Sequence, residues 1–407
     1  MKNVSDVIVV GGGPCGSFTA ANLARKGVNT SVFEEHGEIG VPSHCAGHLG
    51  IKGLRNLNLY PLPDGIVENT FCGAVFHSPS DKEFEIRFSS PVTCVVNRAL
   101  LDKHLATVAE KAGVRYCLNS RVESVVVESG VVKGVTVRHE GKSETHLAKI
   151  VVDAEGMSSR VLKQAGLSPL SRRGVVNAVS AEVENVEDVD QDMVEVYLGQ
   201  EYASGFYAWL IPKRDGRADI GLAAKTGNPK ELLQKFVRKH PTASKKLRAA
   251  RFLRTNYHPI TLGGPITSTF SDGLLVVGDA ASQVKPTTGG GVVFGLTCAR
   301  EAADVACEAL RRGVFSSAFL GEYQKRCDRI LGFDLKVMKR MRVMLDKMPD
   351  RKLDEAVKYC KMLSLENVLR NFWDIDSQGQ SFLRILYDPR ILSAGLLFFF
   401  LYLSANP

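Results

Sequence analysis

Three glycines, an acid and a thiol carry the chemistry legible near the amino terminus. Gly11, Gly13 and Gly16 form GxGxxG within DVIVVGGGPCGSFTAANLARKGVNTSVFEE, residues 6–35. In such a motif Gly11 permits a tight turn, Gly13 lets the backbone approach a pyrophosphate, and Gly16 lets a helix pack closely on a strand. The helix start turns unpaired N–H groups toward the phosphates. Glu34, eighteen residues after Gly16, can accept from both hydroxyls of a ribose. GxGxxG alone is a weak signal, but here its context is complete. A strand over 6–10 precedes it, a helical pattern (Phe18, Ala21, Leu23, Ala24) follows and closes at Gly27, and a second strand over 28–33 ends at Glu34. The spacing predicts dinucleotide binding.

Later segments supply more of the same chemistry. VVDAEGMSSRV (151–161) reads as an apolar strand ending at Asp153, followed by Gly156. GLLVVGDAASQVKPTTGGGVVFGL (273–296) reads as a buried strand, then Gly278-Asp279, then Gly289, Gly290 and Gly291 opening a helix. A carboxylate at a strand end can bind sugar or ribityl hydroxyls, and a glycine run at a helix start makes a second anion site. Arg98 begins an amphipathic helical pattern over 95–113. Between these segments lies VPSHCAGHLG (41–50), a polar, glycine-rich loop with His44 and the thiol of Cys45. A thiol there is either a functional group or a small space filler.

The elements that position these groups imply an α/β fold. Residues 175–186 and 193–198 alternate apolar and polar, as half-buried strands do. With GFYAWLIPKRDGRADIGLA (205–223) they predict an antiparallel sheet. Tyr207 and Trp209, two apart, share one face of a regular strand. They either sit in a domain core or line an apolar tunnel.

The chain has 407 residues, is 44% hydrophobic and carries net charge +8. Its length favours two domains. The charge suits an anionic membrane or an acidic substrate and demonstrates neither. The nine cysteines are scattered without a CxxC pair. That argues against a disulfide framework or a zinc site and for a reducing cytosol. No leader is expected before the first strand, and no nucleic-acid partner is implied. Residues 322–352 hold ten Lys/Arg against five Asp/Glu, with Met338, Met341, Met344 and Met348 in one helical stripe. Such a stripe is either core or an adaptable apolar wall. RILSAGLLFFFLYLSANP closes the chain. Its apolar run over 391–403, about 20 Å as a helix, is too short for a bilayer core of about 30 Å. It either dips into one leaflet behind Arg384 and Arg390 or packs on protein.

Together these motifs resemble the geranylgeranyl reductase family of flavoproteins, within the aromatic-hydroxylase-like FAD superfamily. GxGxxG, Arg98 at a helix start, the Asp153–Gly156 segment and Gly278-Asp279 occur in the family's order. EIGVPSHCAGHLG resembles its P-x-x-C-G loop. Gly205, Tyr207, Trp209, Pro212, Lys213 and Gly221 match its G-x-Y-x-W-x-F-P-K…G signature. Within the family the chain resembles archaeal digeranylgeranylglycerophospholipid reductases. Ala46, His44, Gly47 and Ile211 depart from the usual residues, which bears on substrate and proton donor more than on the flavin.

The resemblance implies an FAD-binding Rossmann-like domain assembled from residues 1–165 and 265–315. It implies an antiparallel substrate-binding domain over 166–264 and a helical carboxy-terminal region with an apolar tail over 316–407. FAD would be held by Gly11, Gly13, Cys15, Gly16, Glu34, Cys45, Ala46, Arg98, Val122, Asp153, Gly156, Asp279, Gly289, Gly290, Gly291 and Val292. Cys45 and His44 become candidate catalytic residues, and Tyr207, Trp209 and Pro212 candidate substrate contacts. The expected reaction is saturation of isolated C=C bonds in geranylgeranyl chains, those of an archaeal-type glycerophospholipid. No second GxGxxG is present, so an external reductant, NADPH or a ferredoxin-like carrier, would recharge the flavin. The expected location is cytoplasmic and peripheral on the membrane. Two alternatives share the fold: a flavin monooxygenase of an apolar substrate, and a flavoprotein passing electrons to a quinone.

Overall fold

Continuous apolar runs are what strands buried on both faces require, and three of them form the centre of one sheet in a computed structural model of the chain. The structure describes residues 5–372, 374–385 and 387–403. The chain divides into two units: residues 1–43, 98–174 and 263–333 make the first, and 44–97, 175–262 and 334–407 the second.

In the first unit, Ser5–Val10 lies between Thr30–Phe33 and Lys142–Asp153, parallel to both. Leu274–Val276 adds parallel to Lys142–Asp153, and Arg115–Cys117 parallel to Thr30–Phe33. Two further strands, Ser120–Glu128 and Val131–His139, extend antiparallel from the first half of Lys142–Asp153. Ile8, Val10, Phe33, Val151, Val276 and Leu162 share the core of this unit. Pro14 starts the helix Pro14–Ala24, where its fixed φ and missing N–H are tolerated. Arg98–Lys111 and Val292–Arg312 are the other long helices of the glycine-motif region.

The second unit is built on a seven-stranded sheet. Its order is Arg251–Thr261, Val175–Glu184, Arg217–Ala224, Ala208–Pro212, Met193–Tyr197, Gly73–His77 and Glu83–Arg87. All neighbours are antiparallel except Gly73–His77 with Met193–Tyr197, which is parallel. The period of two is visible in the packing. Val179, Ala181, Val183, Ala208 and Leu210 pack under Leu233 and Phe236 of the helix Pro229–Lys239. Their alternates Val176, Ala178, Trp209 and Ile211 form a separate cluster on the other face.

The units differ from the three-part division expected above. Residues 44–97 join the second unit, because Gly73–His77 is hydrogen-bonded into its sheet and His48–Gly50, Val67–Phe71 and Thr93–Val96 form a small sheet there. The region 316–407 is not a separate body: it is shared between the two units. Of the methionine stripe, Met338 and Met348 are buried, Met348 against Leu353 and Ala356.

The apolar tail forms the helix Pro389–Leu403. Ile391 and Ala394 are buried in a cluster with Phe84, Ile86, Val357, Leu365, Val368 and Ile385. The packing alternative therefore applies to that face. Residues 404–407 and the side chains of 397–403 lie outside the described residues. No helix among the described residues is long and apolar enough to cross a membrane.

Candidate active site

Register alone brings the glycine motifs of the first unit together. Phe33, Val10, Asp153 and Val276 lie in one row across four parallel strands. The residues that follow them, Glu34, Gly11, Ala154 and Val277–Gly278, therefore emerge at the same carboxyl edge, where open α/β sheets bind ligands.

Gly11 turns at φ +96°, and an added Cβ would lie 2.5 Å from Ala154 O. A Cβ on Gly16 would lie 2.0 Å from Gly11 O, so turn and helix touch backbone to backbone. Gly13 differs: a Cβ there meets no protein atom within 4 Å. The protein does not need that glycine for its own packing, and the open side is where a phosphate can approach. Gly156, at φ +65°, is open in the same way.

Glu34 is held in place by its neighbours. Its Oε2 accepts from Gly12 N–H at 2.7 Å, and its Oε1 accepts from His36 N–H at 2.9 Å. His36 Nδ1 lies 2.6 Å from the same oxygen. The carboxylate is thus fixed at the strand end with lone pairs left for a ribose. We expect Glu34→Ala to weaken FAD binding by roughly 10- to 150-fold, the equivalent of about 1.5–3 kcal/mol for hydrogen bonds to a charged group. Flavin titration of the apoprotein measures it, and an unchanged affinity would hand the ribose to Glu35 or another acid.

Arg98 makes a two-point pair with Asp102, Nη2–Oδ2 3.0 Å and Nε–Oδ1 3.1 Å. The i,i+4 spacing that brings them together was legible in the sequence, although Asp102 was missed. Asp279 is exposed on the short turn Gly278–Ala281 yet crowded by protein. Desolvation raises its pKa above the ordinary carboxylate value, and Arg98 pulls it back. A Cβ on Gly291, at the start of Val292–Arg312, would lie 3.0 Å from Asp279 Oδ1. The turn has a brace that sequence reasoning did not find. Gln283 Oε1 accepts from Gly278 N–H at 2.8 Å, Gln283 Nε2 donates to Tyr323 Oη at 2.7 Å, and Tyr323 Oη donates to Val276 O at 2.8 Å.

The side chains of Cys15, Asp153 and Val122 pack within the protein. Cys15 fits between Gly278 and Gly295: a Cβ on either would come within 2.9 Å of its Sγ. Burial pushes that thiol's pKa far up, so it stays protonated and packs. Asp153 is fully buried. Its Oδ1 accepts from Glu155 N–H at 3.0 Å, which shapes the turn presenting Gly156. Burial and then Glu155 raise its pKa. Val122 is a core residue whose carbonyl accepts from Arg160 Nη1 at 3.2 Å. Gly289 has φ +71°, Gly290 packs against the Lys285 stem, and Val292 is half-buried.

The remaining candidates belong to the second unit. His44 and Cys45 are exposed, and Cys45 Sγ accepts from Gly47 N–H at 3.4 Å. Ala46 and Tyr207 both pack against a buried cluster that includes Phe71, Val95, Phe206, Trp209 and Ile211. Tyr207 precedes its strand, stacks on Phe206 at 4.2 Å and meets Trp209 edge-on at 6.1 Å. Pro212 ends the strand, and its carbonyl accepts from Asn69 Nδ2 at 3.2 Å.

In the first unit, the open face of Gly13, the fixed carboxylate of Glu34, the accessible Asp279 and the glycine-led start of Val292–Arg312 fit FAD. The comparisons agree. Residues 4–331 match the FAD binding domain family. A digeranylgeranylglycerophospholipid reductase of Methanopyrus kandleri is 33% identical, over 90% of this chain and 92% of that protein. One from Methanocaldococcus jannaschii is also 33% identical, over 87% and 90% of the two chains. A solved geranylgeranyl bacteriochlorophyll reductase-like protein from Thermoplasma acidophilum is 27% identical, with TM-score 0.85 over 97% of this chain and 99% of that one. A myxobacterial chondrochloren halogenase, 21% identical with TM-score 0.69 over 98% and 97%, shares the fold. The chain is a flavin-dependent oxidoreductase that uses FAD, and it belongs to the digeranylgeranylglycerophospholipid reductase family.

Proposed function

We propose that this protein saturates isolated C=C bonds of geranylgeranyl chains carried on an archaeal-type glycerophospholipid. The observation that carries this reading is that Ala46, next to the exposed thiol of Cys45, packs, as Tyr207 does, against the buried cluster that holds Phe71, Phe206 and Trp209. A proton-bearing loop and a wall of apolar and aromatic side chains are thus one piece of structure. Reduced FAD, when bound, supplies a hydride to one alkene carbon. The chain's own residues must do the rest. An isolated alkene has no carbonyl to polarise, so orientation and water exclusion supply much of the rate. The apolar face does both for an isoprenoid chain. The second alkene carbon needs a proton, and Cys45 and His44 are the exposed proton carriers on the loop. An external reductant, NADPH or a ferredoxin-like carrier, restores the flavin.

Peripheral contact with one leaflet suits such a substrate. Leu383 of the helix Gln378–Ile385, Tyr387 in the turn before Pro389–Leu403, and Leu392 and Leu396 of that last helix are exposed, Tyr387 at 92% and Leu396 at 73%. Arg384 and Arg390 lie among them, as head-group contacts of in-plane anchors do.

Anaerobic reduction of the holoprotein, followed by mass spectrometry of added digeranylgeranyl glycerophospholipid, tests the reaction. The expected product gains two hydrogens per bond. An oxygen-dependent product carrying a hydroxyl would instead identify a monooxygenase, and rapid quinone reduction without lipid change an electron carrier. Cys45→Ser is expected to keep its FAD while losing turnover on the order of 10²-fold, the lower range of general acid catalysis. A wild-type rate and product distribution would return Cys45 to space filling.

A further inference from the structure

We infer that Asp219 is a positioning residue that fixes the Trp209 ring, and through it sets which isoprenoid chains the second unit accepts. The role rests on the reading of the aromatic cluster as the wall of the chain site.

The strands Ala208–Pro212 and Arg217–Ala224 pair with Trp209 opposite Gly221 and Ile211 opposite Asp219. Trp209, Ile211, Asp219 and Gly221 therefore share one face, the face of the aromatic cluster. Two constraints act on the indole. Its ring lies across Gly221, where an added Cβ would come 2.3 Å from Cζ2. Its Nε1–H donates to Asp219 Oδ1 at 2.9 Å. Remove either and the ring is free to turn: any side chain at 221 displaces it, and loss of the carboxyl leaves a buried N–H without a partner. Trp209 is 8% exposed and Asp219 7%, so water offers little substitute.

A buried carboxyl is a demanding acceptor for one indole, since burial disfavours its charge. Here burial lifts its pKa to about 7, with the Trp209 N–H and Lys213 opposing and Glu182 and Glu68 adding to the rise. Those groups are the charged neighbours. Glu182 lies opposite Asp219 on the adjacent strand, and the Lys213 ammonium bridges Glu68 at 3.0 Å and Glu182 at 3.3 Å. The same oxygen accepts from the indole in either protonation state, and the bond is stronger when the carboxyl is charged. The hold on Trp209 therefore tightens as pH rises through neutrality.

The test uses reduced holoenzyme and lipids bearing geranylgeranyl or farnesyl chains, comparing kcat/KM for the two. Asp219→Ala is expected to lose roughly tenfold in discrimination, the scale of one hydrogen bond to a charged group. Asp219→Asn, which keeps an acceptor oxygen, is expected to retain it. The double variant Asp219→Ala/Trp209→Phe should discriminate no worse than Trp209→Phe alone. Additive losses, or full discrimination in Asp219→Ala while Trp209→Phe loses it, would overturn the inference and leave the wall intact. If Trp209→Phe itself leaves lipid kinetics unchanged, the wall is wrong and the inference falls with it. A second measurement needs no destabilising change. With Trp373→Phe, the emission of Trp209 is expected to titrate near pH 7, and Asp219→Asn should abolish that titration. Emission that Asp219→Ala leaves unchanged, or that titrates equally in the parent and in Asp219→Asn, overturns the inference.

Discussion

Gly16→Ala is expected to give protein without flavin and with a clearly lower melting temperature. The added methyl would fall 2.0 Å from Gly11 O and 3.3 Å from Ala154 Cβ. The first of these is backbone of the turn itself, so it cannot rotate away as a flexible side chain would. Relief requires the helix Pro14–Ala24 to move off the sheet or the turn to open. Overpacking of this kind typically costs about 1–3 kcal/mol, and a rigid neighbour places it at the upper end. Gly13→Ala provides the contrast. Nothing lies within 4 Å of its Cβ, so the apoprotein should melt as wild type while FAD affinity falls, on the order of 10²-fold for displaced bonds to charged oxygens. Flavin absorbance after gel filtration and melts with and without added FAD separate the two cases. Full flavin retention in Gly16→Ala would mean that this turn does not hold the pyrophosphate.

That contrast also shows what the sequence could convey. GxGxxG states that three positions lack side chains; it does not state why. Gly11 and Gly16 answer to the protein's own backbone, while Gly13 answers to open space. The strand-end row was legible because apolar runs ending in Glu34, Asp153 and Gly278-Asp279 can only align at one edge of a parallel sheet. Asp153 was overread: a carboxylate at a strand end can face a ligand or the interior, and its burial places it in the interior. The placement of residues 44–97 in the second unit was not legible. It depends on Gly73–His77 pairing with Met193–Tyr197, a contact far apart in the chain with no local pattern to announce it. Asp219 was missed for a related reason. One acid in RADIGLAA marks alternation, but only the register to Trp209 reveals which ring it holds.

Deleting residues 391–407 is expected to destabilise the second unit, and so it is a poor probe of membrane contact. Ile391 and Ala394 are three apart on one face of Pro389–Leu403 and are buried against Phe84, Ile86, Leu365, Val368 and Ile385. Removing them exposes that cluster. Loss of one large buried aliphatic side chain costs about 2–5 kcal/mol, and here its neighbours lose their cover too. The apolar run alone could not separate lipid from protein as the covering phase; the structure assigns one face to protein. The opposite face carries Leu392 and Leu396, both exposed, and there substitution should leave stability within about 0.5 kcal/mol. Leu392→Ser/Leu396→Ser is therefore the informative variant. It is expected to melt as wild type and to cosediment less with vesicles containing anionic lipid. Added salt should weaken wild-type binding further, because the arginine contribution is screened. That contribution is modest, since Arg390 already pairs with Asp388, Nη2–Oδ2 2.7 Å and Nε–Oδ1 3.0 Å. Vesicle binding equal to wild type in the double serine variant would remove this face from the membrane. An unchanged melting temperature in the deletion would show that the cluster around Phe84 and Ile86 stands without the tail.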